Sequence, residues 1–278
     1  PFFFVFDASA CVWGCSRSQH DVPPEEQDFL EALVDRFEHH PRLVWVVAEE
    51  YSEAFSSDRV SNIAAVIRAA DAGSHPIAVH KLSGITFDEF AADPAVDQFA
   101  IQLGEYSPDR LHDEVVAAFD LAAGRYGLNM SEARSHGTGE IARLRNWASA
   151  MGGAYVMVLG WDVATTPVAD LEGCGTLVGF MESTRFDTME PHDELALGET
   201  DYVLANPADR FILYAASQSG DLGVRDADSG TYDLTWVDAL SGATYDETGI
   251  SHGGGDASFA PPSSFGAEVA VYVRRSGS

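Results

Sequence analysis

Lysine is almost missing from this chain. Of 16 basic residues only Lys81 is a lysine, and the others are arginines. Against them stand 44 acidic residues, giving a formal net charge of −28 over 278 residues. So little positive charge makes nucleic acid and anionic lipid poor partners, since both are gripped through phosphates. Long hydrophobic runs are lacking too: no stretch of 18 apolar residues occurs, which excludes a membrane-spanning helix. The opening PFFFVF is too short for a secretion signal and has no basic start. Cysteine is scarce. Cys11, Cys15 and Cys174 make no metal-binding pattern, and their odd number leaves one thiol outside any disulfide. The histidines are scattered and no HExxH occurs. Neither a GxSxG elbow nor a phosphate-cradling glycine loop follows a strand. MGGA at 151–154 lacks a nucleophile, and HGGG at 252–255 lies among C-terminal strands. No metal and no cofactor is expected.

What is present is an ordinary core, with 46% hydrophobic residues and 11% aromatic. Composition of that kind argues against charge-driven disorder. The acidic excess runs along the whole chain instead of filling one tail, which fits adaptation to high salt. At 1 M salt, charges are screened beyond about 3 Å, and self-repulsion ceases to oppose compaction. An extracellular setting in a high-salt organism is the expectation.

Residues 1 to about 185 alternate short apolar runs with amphipathic stretches. The runs are PFFFVFDAS, LVWVVAEE, PIAVHKL, QFAIQLG, LNMSEA and YVMVLGWD; helices are expected over 24–39, 58–71, 108–126, 138–151 and 170–184. Near-continuous apolar strands separated by helices predict a parallel sheet covered on both faces. Six units are visible, against the eight of a (β/α)8 TIM barrel, so two N-terminal units are expected to be missing; an open, doubly wound sheet is the alternative. Near residue 200 the text changes to alternating strands with turns at PADR, DSG, LSG and GGGD. This predicts an α/β catalytic domain over 1–198 and a small antiparallel β-sandwich of about seven strands over 199–278.

Polar residues close every one of the six runs: Asp7, Glu49 with Glu50, His80, Gln102, Glu132, and Trp161 with Asp162. In a parallel barrel the C-terminal strand ends form the active-site face. Glu50 and Glu132 end strands three units apart, which places them across one mouth. Paired carboxylates there are what cleavage of a glycosidic bond requires, one protonated as acid and one ionised as nucleophile. Consecutive strand residues face opposite ways, so only one of Glu49 and Glu50 is expected in the pocket. Trp161 is a candidate for stacking on a sugar ring, and Trp13 a weaker one. The bland reading of any one of these residues is loop solvation or packing. His112-Asp113-Glu114 and His192-Asp193-Glu194 read as capping and solvation.

The segments LVWVVAEEYSE, RLRNWASAMGGAYVMVLGWD and GTYDLTWVDALSGATYDETG make the chain similar to clan A glycoside hydrolases. Within the clan it resembles the apiosidase-like group, whose barrel is followed by a β-sandwich labelled a collagen-binding domain of a collagenase. The resemblance implies an acid/base at the end of the fourth barrel strand and a nucleophile at the end of the seventh. Taking YVMVLGWD as the eighth, these are Glu50 and Glu132, with Trp161 lining the subsite; the strand-end residues Asp7, Glu49, His80 and Gln102 are expected, from their own positions, to line the substrate site as well. Clan members carry asparagine just before the acid/base, where this chain has Glu49, so both glutamates stay open for that role. The expected function is retaining hydrolysis of a polysaccharide or oligosaccharide; the alternative is a non-catalytic carbohydrate-binding or surface protein with a degenerate barrel.

Overall fold

A computed structural model describes residues 2–7, 12–14, 16–104, 106–133, 137–156 and 165–277, with Glu132, Ala133 and Val156 described by backbone alone. The first part alternates strand and helix. In chain order it runs β1 (Phe2–Asp7), α1 (Pro24–Phe37), β2 (Val44–Glu49), α2 (Ser57–Ala70), β3 (Ile77–His80), β4 (Gln98–Leu103), α3 (Pro108–Ala122), β5 (Gly127–Ala133), α4 (Glu140–Met151), β6 (Tyr155–Val156) and α5 (Val168–Glu182). The six strands form one parallel sheet in the order β1-β2-β3-β4-β5-β6. The order never reverses, so no topological switch point of the doubly wound kind occurs among them.

Local chemistry explains the helix limits. Pro24 takes the first turn of α1, where its missing N–H costs nothing, and Glu25 and Glu26 sit by the positive end of the dipole. Ser56 caps α2 by accepting the Arg59 amide at 3.2 Å. Val60, Ile63, Ala64 and Ile67 then bury one stripe of that helix at helical spacing. α3 ends at Ala122, four residues short of expectation. Ala123 and Gly124 turn left-handed there, at φ 50° and 70°, while the Arg125 guanidinium donates to the Leu121 and Ala122 carbonyls. Four successive residues of β2, Trp45 to Ala48, are fully buried, as in a strand covered on both faces.

The second part is antiparallel. It comprises β7 (Glu190–Pro191), β8 (Ala196–Gly198), β9 (Tyr202–Asn206), β10 (Arg210–Ala215), β11 (Leu222–Ala227), β12 (Gly230–Asp238), β13 (Thr244–His252), β14 (Gly255–Phe259) and β15 (Val269–Arg275). One sheet has the order β13-β12-β15-β10-β9-β7 and the other β14-β11-β8. Leu222, Val224, Ala257 and Phe259 of the smaller sheet share one core with Phe211, Leu213, Leu234, Trp236 and Val271 of the larger. The expected seven strands are nine among the described residues. The two extra, β7 and β8, are two and three residues long and precede the change of sequence style. Segments that short carry no readable alternation.

By contacts, the chain groups into two compact units. One holds the described residues of 1–105, 117–134 and 154–157; the other holds those of 106–116, 135–153 and 158–278. Within the second unit, α4 is tied to Glu268, the residue just before β15, by the Arg143–Glu268 ion pair at 2.8 Å, and the Tyr214 hydroxyl donates to the same carboxylate at 3.1 Å. Rings of His112, Tyr202, Tyr214 and Trp147 follow one another in a stack, with centroid separations of 3.8, 5.9 and 4.9 Å.

Candidate active site at the strand ends

Apart from Trp161 and Asp162, which lie outside the described residues, the polar residues named above fall at the C-terminal ends of the parallel strands within the first unit. Asp7 closes β1 and pairs in register with Glu49, the last residue of β2. His80 closes β3. Gln102, next to last in β4, stands opposite Glu132 on β5. The β4–β5 ladder shifts between Ile101 and Gln102: Met130 faces Ile101, Glu132 faces Gln102, and Ser131 is the extra residue of a bulge. Trp161 lies outside the described residues. Trp13 packs on Phe29 at 5.1 Å and edge-on to Phe6 at 6.3 Å, which is a packing role.

Glu50 differs from what strand alternation implies. β2 stops at Glu49, and Glu50 adopts the left-handed conformation at φ 43°, ψ 47°, before a single 3-10 turn over Tyr51–Glu53. Its orientation therefore follows from that turn and not from the pleat. For a residue with a Cβ this conformation costs about 1–2 kcal/mol. Three contacts offset it: the Glu50 N–H donates to His80 Nδ1 at 3.4 Å, the Glu50 carbonyl accepts from Glu53 N at 2.9 Å, and the Tyr51 ring is buried. Each hydrogen bond is worth about 1 kcal/mol net, enough to hold the turn. Strain of this kind on a non-glycine residue concentrates at functional sites.

His80 is 1% exposed, and burial pushes its pKa down to about 4, so the ring is neutral over the ordinary pH range. With Nδ1 accepting, the proton belongs on Nε2. That Nε2 has no hydrogen-bond partner among the described residues, nor do Gln98 Oε1, Gln102 Oε1 or either amide atom of Asn129. Gln98 begins β4, at the other end of the strand, whereas His80 closes β3, Gln102 is next to last in β4, and Asn129 of β5 pairs in register with Ala100, itself opposite His80. Buried polar atoms without partners are rare in proteins, and a concentration of them marks a place where water or ligand completes the bonding.

Sequence reading passed over two groupings. Beside Glu50, the Tyr51 hydroxyl and the Lys81 ammonium both donate to Glu89 Oε1, at 2.6 and 2.7 Å. Burial pushes the Tyr51 phenol up, with Glu89 adding to it. The Glu89 carboxyl would also rise on burial, but its two donors bring it below the usual range. So Lys81 braces the loop after β3, and the Tyr51 hydroxyl ties the loop after β2 to the same carboxylate. In the second unit, His112 is buried inside α3, with Nδ1 against the Ala148 carbonyl at 2.9 Å and Nε2 against Asp193 at 2.7 Å. Two stretches read as solvating thus meet. Nothing local in either could signal a pairing across so many residues. Among the described residues no group of three or more His, Cys, Asp or Glu side chains gathers to hold a metal.

No protein-family model matches the chain, and no curated protein does. Solved structures do match. A glycoside hydrolase aligns over 91% of this chain and 69% of its own, at 14% identity and a TM-score of 0.60. A family 5 glycoside hydrolase from Bacteroides vulgatus aligns over 91% and 67%, at 14% identity and a TM-score of 0.63. A second protein from that organism aligns over 98% of this chain and 59% of its own, at 10% identity and a TM-score of 0.64. The likeness is one of fold. The chain has the mixed α/β architecture of glycoside hydrolases and spans part of their length.

Proposed function

We propose that the protein is a glycoside hydrolase working by double displacement on a polysaccharide or oligosaccharide. The observation that supports this most is the sheet order and register: Glu50 and Glu132 belong to the same end of parallel strands three apart, and on the two strands between them His80 Nε2 and Gln102 Oε1 have no hydrogen-bond partner among the described residues. In this reading the parallel sheet is six consecutive units of a (β/α)8 barrel ending at 198, and residues 199–278 form a β-sandwich, as in the apiosidase-like group. The Glu132 carboxylate attacks the anomeric carbon and the bond to the leaving oxygen breaks, giving a glycosyl ester. The Glu50 carboxyl gives its proton to that oxygen, then takes one from the water that cleaves the ester. Asp7, Glu49, His80, Gln102 and Trp161 line the sugar site. Retention requires the two carboxyl groups about 5–5.5 Å apart, against about 6.5–9.5 Å for inversion. The setting is extracellular and salt-rich.

The test is a glycan-library screen in molar salt, with wild type, Glu132→Gln and Glu50→Gln side by side. Wild type should turn over at least one glycan, Glu132→Gln should lose turnover by roughly 10³-fold or more, and azide should rescue Glu50→Gln on the 2,4-dinitrophenyl glycoside of that sugar, giving the glycosyl azide of retained configuration. Near-normal activity of Glu132→Gln sinks the assignment. Binding of a glycan without turnover by wild type would mark instead a non-catalytic carbohydrate-binding protein.

A further inference from the structure

We infer that His80 is a positioning residue for the acid/base, holding the Glu50 backbone in its left-handed turn through Nδ1. The inference rests on the reading of Glu50 as the acid. Its own support is geometric. Glu50 is one of four non-glycine residues with positive φ among the described residues, and the only one of them at an end of the parallel strands with a side-chain acceptor from a neighbouring strand on its amide. The acceptor is a ring whose position is fixed: His80 is buried at the end of β3, with Phe4 edge-on at 6.1 Å. The interaction demands the neutral Nε2–H tautomer, and burial keeps the ring in that charge state down to about pH 4.

If the Nδ1 acceptor is lost, the turn relaxes toward ordinary φ, and the Glu50 carboxyl moves from its place by the leaving oxygen. The consequence is specific to proton donation. Glycosides with poor leaving groups need the acid, whereas 2,4-dinitrophenyl glycosides leave without it. The measurement is kcat/KM, which reports the glycosylation step, for methyl and 2,4-dinitrophenyl glycosides of whichever sugar wild type turns over. In His80→Leu the methyl glycoside should lose about 10–100-fold more than the dinitrophenyl glycoside, a share of the 10²–10⁴-fold worth of general acid catalysis, while any lost sugar contact slows both alike and drops out of the ratio. His80→Asn puts an amide oxygen near the Nδ1 position and should keep the ratio of kcat/KM on the two substrates within about 3-fold of wild type's; His80→Gln carries its oxygen one bond too far and should shift that ratio as His80→Leu does.

Equal losses on both substrates in His80→Leu, or a ratio in His80→Asn shifted as far as in His80→Gln, would overturn the inference. Should His80→Leu fail to fold in molar salt, the Asn and Gln pair decides alone. Glu50→Gln on the same two substrates separates the two claims. If it too shows no leaving-group dependence, Glu50 is not the acid; if it does and His80→Gln does not, only the positioning role fails.

Discussion

Removing Glu26 should cost this protein more than removing any carboxylate on its surface. Glu26 in the first turn of α1 and Arg59 in the first turn of α2 are each 1% exposed and joined at 2.7 and 3.0 Å. Arg59 also donates to the Asp21 carbonyl at 2.7 Å and lies over the Phe55 ring. Burial pushes the Glu26 carboxyl up while Arg59 pulls it down, the balance of a charge held out of water by one partner. In Glu26→Ala the guanidinium stays buried with, among the described residues, only the Asp21 carbonyl to accept from it. Stranding a buried charge costs about 3–5 kcal/mol. At roughly 2–4 °C per kcal/mol for a domain of 150–250 residues, the melting midpoint should fall on the order of 10 °C. Replacing both partners with apolar side chains of similar length, in the Glu26→Leu, Arg59→Met double variant, should recover most of that loss, since the pair's Coulomb gain and desolvation cost roughly cancel. Circular-dichroism melts in about 2 M KCl, where screening is strongest, read both. A single variant that melts with wild type, or a double variant as unstable as the single, would refute the reasoning.

Two further outcomes are expected. The folded pKa of His80, about 4, lies below its ordinary 6.5. As pH falls through 6.5 the unfolded state takes up a proton that the folded state refuses, so stability drops until about pH 4 and the loss then levels. The total is about 3 kcal/mol, and denaturant titrations of wild type against His80→Asn should show the variant losing less over that window. With a net charge of −28, compaction should depend on salt: melting midpoints should fall steeply between about 2 M and about 0.05 M KCl, because screening then reaches out from about 3 Å to beyond 10 Å. Equal midpoints at both salt levels would remove the case for salt adaptation.

The parallel layer was legible because its signals are local. Apolar runs, Pro24, the Ser56 cap and the spacing of Val60, Ile63 and Ile67 each act within one element. The polar strand ends were legible for the same reason: Asp7, Glu49, His80, Gln102 and Glu132 do end, or nearly end, their strands. What escaped depends on neighbouring chain segments. The turn at Glu50 is set by a ring on β3, and the shift that places Glu132 opposite Gln102 is a property of two strands together. Asn129 read as one more residue of LNMSEA, yet it is wholly buried without a partner for its amide among the described residues. His112 and Asp193 looked like solvated charges because each was judged against its own neighbours.

The ring stack has a consequence for how the chain is made. His112 and Trp147 leave the ribosome well before Tyr202 and Tyr214, which close over them. At roughly 5–20 residues per second, Trp147 waits about 3–14 s for Tyr214. Through that interval the face of Trp147 that Tyr214 covers stays open. Nascent chains stalled just short of β10 should therefore be the ones that chaperones hold longest.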